Sequence, residues 1–301
     1  MNVTFYGVRG SYNCPTQSID GKVVYSTMKY GGSTTCVSIW NKHSDGNMIE
    51  RIIIDSGRGI VQLGKEMVMN KDKEDFGNIK IFFTHLHPDH TTEFPFFAPN
   101  YIPGTTINLY GMQALKNHVG KILERNMLPP NFPIEYKDLI SKRKHYIIKG
   151  RESHMFDTMV VDSMLAYAPS HPQQGAMYYR ITDKFTGRSV TCVWDHESKQ
   201  GGDKAVIKFA KDTDILIHDT QYTEEEYMSE SFIVQGFGHS TYDMAIENAE
   251  QAKVKGMLIC THFNPAHDDE KLDAIQNDMR NREAEVGFQI LLAQEGMTIT
   301  V

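Results

Sequence analysis

The 301-residue sequence predicts an α/β protein built around β-sheets. Short apolar runs rich in β-branched and aromatic residues recur along the chain, which is the pattern of buried strands. Between some of these runs, apolar residues fall three and four positions apart, as they do in amphipathic helices. The composition, 40% hydrophobic and 23% charged, can bury a sizeable core and excludes disordered, collagenous and coiled-coil proteins.

The predicted strands alternate with loops and a few helices, and most strands end at a polar residue of chemical interest. We expect strands at 2–6, 34–40, 51–54, 79–83, 159–168, 189–194, 214–217 and 256–260, and helices at 111–126, 201–211 and 241–255. Ser240 or Thr241 is the expected N-cap of the last helix. No low-complexity linker interrupts the chain, so one domain over residues 1–301 is favoured over two, with an insert at about 95–150.

The net charge and the cysteines limit which binding partners and which cellular compartment we expect. Lys plus Arg number 31 against 38 for Asp plus Glu, a net charge of -7, so a long nucleic acid is a disfavoured partner. Cys14, Cys36, Cys192 and Cys260 lack the spacing of a zinc ribbon or a disulfide scaffold, which favours reduced thiols. Neither a signal peptide nor a membrane span is recognisable, so we expect a cytoplasmic protein.

A cluster of side chains able to bind metal follows the strand predicted at 79–83. His85, His87, Asp89 and His90 fall within six residues. Alternate residues of a strand point the same way, so His85 and His87 can share one metal, while the turn after Pro88 takes Asp89 and His90 to another side. Imidazole and carboxylate ligands suit zinc, manganese and iron. We therefore expect two divalent metal ions, with zinc the first choice and manganese or iron the alternatives.

The remaining ligands must come from other strand ends, because one loop cannot complete two metal sites. His171, Asp195 and His262 each follow an apolar run, and the two oxygens of Asp195 allow it to bridge two cations. The expected ligands are His85, His87, His171 and Asp195 for the first metal, and Asp89, His90, Asp195 and His262 for the second.

These residues resemble the motifs of the metallo-β-lactamase superfamily. The His-x-His-x-Asp-His cluster, with Asp55 in Ile-Asp-Ser-Gly before it and His171, Asp195 and His262 after it, occurs in the family's order. The resemblance implies an αβ/βα four-layer sandwich of two mixed sheets flanked by helices. It also implies that Asp55 supports the metal loop without binding metal. Asp195 stands where the antibiotic-hydrolysing members carry Cys, which argues against that activity.

A second set of residues resembles the phosphodiesterase branch, which includes ribonuclease Z-like tRNA 3′-endonucleases and small cyclic phosphodiesterases. These are His218-Asp219-Thr220-Gln221, then Gly238-His239-Ser240-Thr241, then Cys260-Thr261-His262. The resemblance implies that Asp219 orients His239 and that His239 protonates the leaving oxygen. A protonated imidazole can donate near neutral pH, and a neighbouring carboxylate favours the protonated form. Asp89 is additionally expected to orient the attacking water.

The leading hypothesis is a binuclear, metal-dependent phosphodiesterase acting on a small diester, most plausibly a cyclic nucleotide. A hydroxide held between two metals roughly 3.5 to 4 Å apart would attack phosphorus. The basic arm with which short tRNA-processing enzymes grip their substrate is not recognisable. The alternatives are a tRNA 3′-processing endonuclease, a thioesterase of the glyoxalase type, and a non-catalytic, metal-containing ligand-binding or sensor protein. A homodimer is compatible with the family resemblance.

Two further features have open interpretations. The insert at about 95–150, which contains Tyr101 and Phe132, predicts either a wall or lid on which a base stacks or a packed surface flap. Arg9 is expected to form a salt bridge inside the sandwich, with contact to a substrate phosphate as the alternative.

Overall fold

Two mixed β-sheets pack face to face, with helices on their outer surfaces. The computed structural model describes residues 1–114, 117–167 and 175–301. His171 and the end of the strand predicted at 159–168 lie partly or wholly outside these residues. Within them, the layered arrangement is the predicted metallo-β-lactamase sandwich, so the predicted fold class is confirmed.

The first sheet has eight strands among the described residues. They are β1 Asn2–Gly7, β4 Cys36–Lys42, β5 Met48–Ile54, β6 Ile79–Phe82, β7 Thr106–Ala114, β8 Asn117–His118, β9 Lys142–Ile148 and β17 Thr298–Thr300. The order is β17-β1-β4-β5-β6-β7-β8, and β9 also pairs with β7. Parallel pairing joins β5, β6 and β7, so the carboxyl ends of β5 and β6 lie at one edge of the sheet.

The second sheet has seven strands in the order of their appearance in the chain. They are β10 Ser153–Met155, β11 Met159–Ala166, β12 Ala176–Asp183, β13 Ser189–Val193, β14 Ile215–Asp219, β15 Met257–Thr261 and β16 Gln289–Leu292. The last four strands are parallel, which places the carboxyl ends of β13, β14 and β15 side by side. A small hairpin, β2 Gln17–Ile19 and β3 Lys22–Tyr25, lies apart from both sheets.

The helices of the described residues are mostly short. They are α1 Gly59–Met69, α2 Pro88–Thr91, α3 Val119–Asn126, α4 Lys204–Phe209, α5 Glu224–Tyr227, α6 Tyr242–Gln251 and α7 Asp269–Val286. The Thr241 side chain accepts a hydrogen bond from Met244 N and caps α6, and Gly287 ends α7 in the left-handed conformation at φ 77°. None of these helices is both long and apolar enough to cross a lipid bilayer.

Side chains of single strands alternate between two apolar layers. Ile52 and Ile54 of β5 face the core between the sheets, whereas Ile53 packs with Leu63 of α1 on the outer side. Because successive side chains of a strand point to opposite faces, a run of apolar residues fills both layers at once. This explains why the buried strands read as continuous apolar runs.

One predicted helix is wrong in its first half. Residues 111–114 belong to β7, and α3 begins only at Val119. The structure pairs Gly111 with Ile147 and Met112 with Ile148 of β9, so strand pairing outweighs the helical spacing of the apolar residues.

Candidate binuclear metal centre

Most of the predicted site residues lie at or just after the carboxyl ends of strands that pair in parallel. Asp55 follows β5, the cluster from His85 follows β6, and Asp195 follows β13. Asp219 ends β14, and His262 follows β15. The chain reverses sharply at three of these positions, where Asp55, Asp195 and His262 have φ of 61°, 52° and 64°. Residues other than glycine rarely adopt this conformation, and functional sites are where it concentrates.

One group of four side chains lies where the second metal was expected. Ligand atoms of Asp89, His90, Asp195 and His262 all lie within 4.8 Å of one another. The Nε2 atoms of His90 and His262 are each 3.1 Å from Asp195 Oδ1, and His90 Nε2 is 3.3 Å from Asp89 Oδ2. Both rings are fully buried.

A second group shares the carboxylate of Asp195. His85 and His87 gather with it, and His85 Nε2 lies 3.5 Å from Asp195 Oδ2. Asp195 therefore presents one oxygen to each group, as a bridging ligand would. The fourth ligand expected here, His171, lies outside the described residues. The structure thus brings six of the seven predicted ligands together, and their metal coordination remains a prediction.

The arrangement fits divalent cations. The Nε2 atoms of His90 and His262 are buried and make no hydrogen bond, although a carboxylate oxygen lies close to each. These nitrogens lie within 4.8 Å of each other and of carboxylate oxygens of Asp89 and Asp195, close enough for one cation to reach all four residues. A set of imidazoles and carboxylates with unused lone pairs is what zinc, manganese and iron bind in proteins.

The carboxylates control the protonation of the histidines. Burial alone lowers the pKa of His90, but Asp89, Asp195 and Asp55 outweigh it and raise that pKa well above its ordinary value. Burial also lowers the pKa of His262, but the neighbouring carboxylates, Asp195 above all, outweigh burial and raise that pKa to about 10. Burial lowers the pKa of His85 well below its ordinary value. The centre is therefore rich in negative charge that a cation would neutralise.

Asp55 contacts the loop that carries the predicted ligands, and its expected role in supporting metal binding stays a prediction. Its oxygens accept hydrogen bonds from Thr84 N and Oγ1 at 2.8 and 2.7 Å, and from Trp194 Nε1 at 2.8 Å. His90 Nδ1 also lies 2.8 Å from Asp55 Oδ2. Because this contact fixes the donor nitrogen of the ring, Nε2 is left to face the metal position.

The predicted acid pair is present beside the second group. His239 Nδ1 lies 2.8 Å from Asp219 Oδ2, and the His239 and His262 rings stack with centroids 5.1 Å apart. Asp219 is fully buried and also accepts a hydrogen bond from Asp195 N. Burial raises the pKa of Asp219, but the neighbouring His239 and His262 outweigh it and lower that pKa below its ordinary value. The contact therefore places an ionised Asp219 beside Nδ1 of His239, and the role of this pair in protonating a leaving oxygen stays a prediction.

The amino-terminal loop contributes residues that sequence reasoning missed. Ser11 N donates a 2.8 Å hydrogen bond to Asp89 Oδ2. Gly10 passes so close to the metal ligands that a Cβ on it would lie 2.5 Å from Cε1 of His262. The Gln221 side chain reaches the hydroxyls of Ser11 and Tyr222, at 3.5 and 3.2 Å.

Arg9 plays neither of the roles expected from the sequence. Its side chain is fully buried, and its guanidinium donates to the carbonyl oxygens of Gly31, Asn264 and His267. It therefore fixes the loop after His262 through backbone contacts, with no carboxylate partner among the described residues and no exposure to a substrate phosphate.

The rings of the 95–150 insert are partly packed. The Tyr101 hydroxyl donates to Pro95 O, and Tyr101 and Phe132 both pack against the apolar cluster outside the first sheet. Phe96, which touches Phe132, is about half exposed. A role of the insert as a substrate wall stays a prediction.

The two-sheet sandwich and its strand-end His and Asp centre define a metallo-β-lactamase-fold protein. The chain belongs to the family described as the beta-lactamase superfamily domain, whose model matches residues 50–263. It is 26% identical to ribonuclease Z of Brevibacillus brevis in an alignment 239 positions long that covers 66% of this chain and 72% of that protein. It is also 26% identical to ribonuclease Z of Thermoplasma acidophilum, over 88% of this chain and 87% of that protein.

Solved structures share the fold over nearly the whole chain. Yeast PDE1 aligns with a TM-score of 0.66 and 15% identity, covering 100% of this chain and 99% of its own. The fold protein YhfI from Bacillus subtilis has a TM-score of 0.65 and 16% identity, covering 99% and 98%. The short form of human tRNase Z has a TM-score of 0.59 and 19% identity, covering 100% and 99%. These findings confirm the resemblance to the superfamily and its ribonuclease Z-like branch.

The expectation that a long nucleic acid is disfavoured is wrong. The relatives that match most of this chain are ribonucleases, and one structural neighbour is a tRNase. Net charge misled because it averages over the whole surface, whereas cations bound at the His and Asp groups would determine the potential where a phosphate reacts.

Proposed function

We propose that this protein is a metal-dependent endonuclease that cleaves precursor tRNA at its 3′ side. The sequence predicts a metal-dependent phosphodiester hydrolase, and the relatives of this chain named ribonuclease Z belong to the same class of enzyme. The observation that carries the proposal is the Asp219–His239 pair, which lies directly against His262 of the second metal group. A thiolate leaves readily without protonation, so a thioester hydrolase has less need of a general acid than an enzyme whose leaving group is an alkoxide.

The side chains divide the work of the reaction. Divalent cations at the two groups, zinc by our proposal, would supply Lewis acidity toward the phosphate. Asp89, fixed by the amide of Ser11, orients the attacking water through its carboxylate. His239 gives the proton at Nε2 to the leaving oxygen while Asp219 holds the proton at Nδ1. Ionised Asp219 stabilises the imidazolium before transfer and keeps the ring in position after it.

The tRNA substrate has more support than the cyclic nucleotide favoured by sequence alone. The relatives named ribonuclease Z match 66 and 88% of this chain. The likeness to yeast PDE1 is at 15% identity and describes the fold. We further propose a single domain with the 95–150 insert at its surface. We also propose a cytoplasmic location, for which the four free, buried cysteines are the support.

The test compares substrates and variants. Purified protein with zinc or manganese should release the trailer from precursor tRNA faster than it opens any of a panel of cyclic mononucleotides, and should also hydrolyse bis(p-nitrophenyl) phosphate. Cleavage of a cyclic nucleotide with precursor tRNA left intact would overturn the assignment.

Two variants separate metal binding from acid catalysis. Asp195→Ala should abolish turnover and metal binding. His239→Ala should retain near-normal metal content and lose about 10²- to 10⁴-fold on RNA, with a smaller loss on the nitrophenyl ester because its leaving group needs less protonation. The exposed His43 provides the control variant His43→Ala.

A further inference from the structure

Three exposed aromatic rings lie beside residues of the candidate active site. Tyr12 is 62% exposed, Phe232 68% and Phe237 47%. We call these three residues the aromatic rim. Aromatic rings exposed next to a candidate active site offer faces on which a planar ligand group can stack.

The backbone of the first rim residue is tied to the metal groups. Tyr12 directly follows Ser11, whose amide is hydrogen-bonded to Asp89. Ser11 has a φ of 62°, and Tyr12 N donates back to Gly10 O, so the loop turns tightly at the point where it meets the site. The Tyr12 ring is therefore carried on a backbone that is fixed next to the attacking side of the centre.

The other two rim residues are held near the general acid. The carboxylate of Glu197 accepts hydrogen bonds from Gly236 N and Gly238 N at 2.7 and 2.8 Å, on either side of Phe237. Phe237 is two residues before His239, so their Cα atoms are at most about 7.6 Å apart. Phe232 contacts the Phe237 ring edge to face at 6.3 Å between centroids.

A chain of contacts joins the two parts of the rim. Gln221 reaches the Ser11 hydroxyl on one side and the Tyr222 hydroxyl on the other. The Tyr222 ring contacts that of His239, with centroids 6.0 Å apart. Tyr12 and the Phe232–Phe237 pair are therefore linked, through the residues next to them, to Asp89 and His239 on the two sides of the candidate centre.

The charges near the aromatic rim indicate whether the rim would bind the phosphates or the bases of a nucleic acid. Residues 10–21 and 221–240 contain no Lys or Arg, and the second segment contains Glu224, Glu225, Glu226 and Glu230. The glutamates repel backbone phosphates, so these two segments provide no electrostatic attraction for a nucleic-acid strand. Aromatic rings bind nucleobases by stacking, whatever the base.

We propose that the aromatic rim stacks the unpaired bases on both sides of the cleaved phosphodiester, so that the substrate must be single-stranded there. This inference rests on the proposed endonuclease function and adds the feature of RNA that is recognised. It also explains how a chain with net charge -7 can act on RNA: the bases, in addition to the phosphates at the metal centre, carry the binding energy.

Binding of an uncleavable RNA tests the rim without relying on turnover. The probe is an unstructured oligoribonucleotide with a methylene phosphonate at the cleavage site and 2-aminopurine next to it, added to the zinc-loaded protein. Stacking should quench the 2-aminopurine fluorescence. Tyr12→Ala and Phe237→Ala should each weaken binding by about 5- to 150-fold, the equivalent of ~1 to 3 kcal/mol per stacked base, and should reduce the quenching.

Matched variants and salt dependence distinguish stacking from other causes. Tyr12→Trp and Phe237→Trp should restore binding. Phe185→Ala, an 80% exposed ring in the turn between β12 and β13 at the far end of the sheet, should leave binding as in the parent protein. The slope of log K against log salt should be below about 1.4 in magnitude, since each phosphate contact on a single strand contributes ~0.7.

The outcomes for the rim and for the proposed function are separable. Unchanged affinity and quenching in both alanine variants would overturn the rim while leaving the endonuclease assignment standing. Loss of a dimer in light scattering, with RNA affinity retained, would also overturn it and would identify the surface as a contact between copies. Failure of the parent protein to cleave precursor tRNA would instead reject the proposed function. On cleavable substrates, the rim variants should lose more on RNA than on bis(p-nitrophenyl) phosphate, which has no base.

Discussion

Asp55 concentrates several contacts on one carboxylate. It accepts from Thr84 N, Thr84 Oγ1 and Trp194 Nε1, and it contacts His90 Nδ1, all at 2.7 to 2.8 Å. The residue is held at φ 61° for this purpose. In Asp55→Asn, the new NH₂ group would face N–H or O–H groups that now donate to a carboxylate oxygen, and it cannot accept their hydrogen bonds. The ring of His90 would then lose the contact that fixes its orientation.

Asp55→Asn is therefore expected to weaken metal binding at the second group by about 10- to 100-fold, the usual effect of removing an outer partner of a ligating histidine. Competition against a chromogenic chelator measures the affinity directly. The exposed Asp72 gives the control Asp72→Asn, which should bind metal like the parent protein. Equal affinities for all three proteins would refute the role of Asp55.

Asp183, far from the metal groups, provides a pH-dependent contribution to stability. Burial raises its pKa, but hydrogen bonds from Thr186, Phe185 and Asn41 outweigh burial and lower that pKa below its ordinary value of 3.8. A carboxyl with a depressed pKa in the folded state stabilises the fold above its unfolded pKa, and that stability is lost as pH falls through the folded pKa.

Asp183→Asn should accordingly unfold more easily than the parent protein at pH 7, by about 1 to 3 kcal/mol for hydrogen bonds to a charged acceptor. The difference should shrink as the pH falls below 3.8, because the carboxyl then binds its proton more readily in the unfolded chain, and it should be smallest below the lowered pKa of the folded state. Urea unfolding at a series of pH values measures both. A difference that stays constant down to the acid limit would contradict the assignment.

The site shows which residues a sequence can reveal. His85, His87, Asp89 and His90 were predictable because their side chains have few other uses at that spacing. Ser11 was not, because its contact with Asp89 uses a backbone N–H that nearly every residue possesses. Trp194 had one available signal, its position between a buried strand and Asp195.

At the scale of elements, strands were predicted better than helices. The apolar runs of β5, β6, β13, β14 and β15 are buried on both faces, so they stand out in the sequence. Helix α7 was missed because only Leu272, Ile275, Gln276 and Met279 of its 18 residues are buried. The position of α7 depends on packing of these few residues, and its mostly charged sequence shows no clear apolar face.

A buried carboxylate on β5 links the two sheets at the end away from the metal groups. Glu50 Oε1 pairs with Lys80 Nζ of β6 at 3.2 Å. Its Oε2 accepts hydrogen bonds from Thr158 N, Thr158 Oγ1 and Met159 N at the start of β11 in the other sheet. Glu50 and Lys80 are 3 and 5% exposed, so neither charge has access to bulk water.

Glu50→Ala should destabilise the protein by about 3 to 5 kcal/mol, because Lys80 and the β11 amides lose their partner inside the fold. Denaturant unfolding gives the change in free energy. The double variant Glu50→Gln, Lys80→Met should recover much of the loss, since it removes both charges together. As a control, Glu124→Ala breaks an exposed ion pair with Lys121 and should leave the denaturation midpoint unchanged. Equal destabilisation by Glu50→Ala and Glu124→Ala would contradict the claim that burial makes the Glu50 pair important.

At the scale of the whole molecule, the metal groups join the two sheets. His85, His87, Asp89 and His90 come from the loop after β6 of the first sheet, whereas Asp195 and His262 follow strands of the second. The ligand order along the chain revealed this arrangement, because each ligand follows a strand. The net charge did not reveal the class of substrate, since an average over 301 residues contains no information about one edge of the sandwich.

Metal removal should therefore weaken the whole fold as well as activity. A cation that binds only the folded state stabilises it by about 2.7 kcal/mol per site at a free concentration 100 times its dissociation constant. Without cations, the buried carboxylates of Asp89 and Asp195 keep only the histidines as partners, with His90 Nε2 3.3 Å from Asp89 Oδ2 and 3.1 Å from Asp195 Oδ1. We expect a chelator to lower the thermal unfolding midpoint and added zinc to restore it in a concentration-dependent way.

The variant Asp195→Ala makes this prediction specific to the candidate centre. Asp195 presents one oxygen to each group, so its loss should remove the response to both zinc and chelator. The metal-free variant should melt below the metal-free parent, because His90 and His262 lose the carboxylate that faces their Nε2 atoms, and zinc should leave its midpoint in place. His43→Ala should respond to zinc like the parent protein. A zinc-induced rise of equal size in Asp195→Ala would mean that the stabilising ion binds elsewhere.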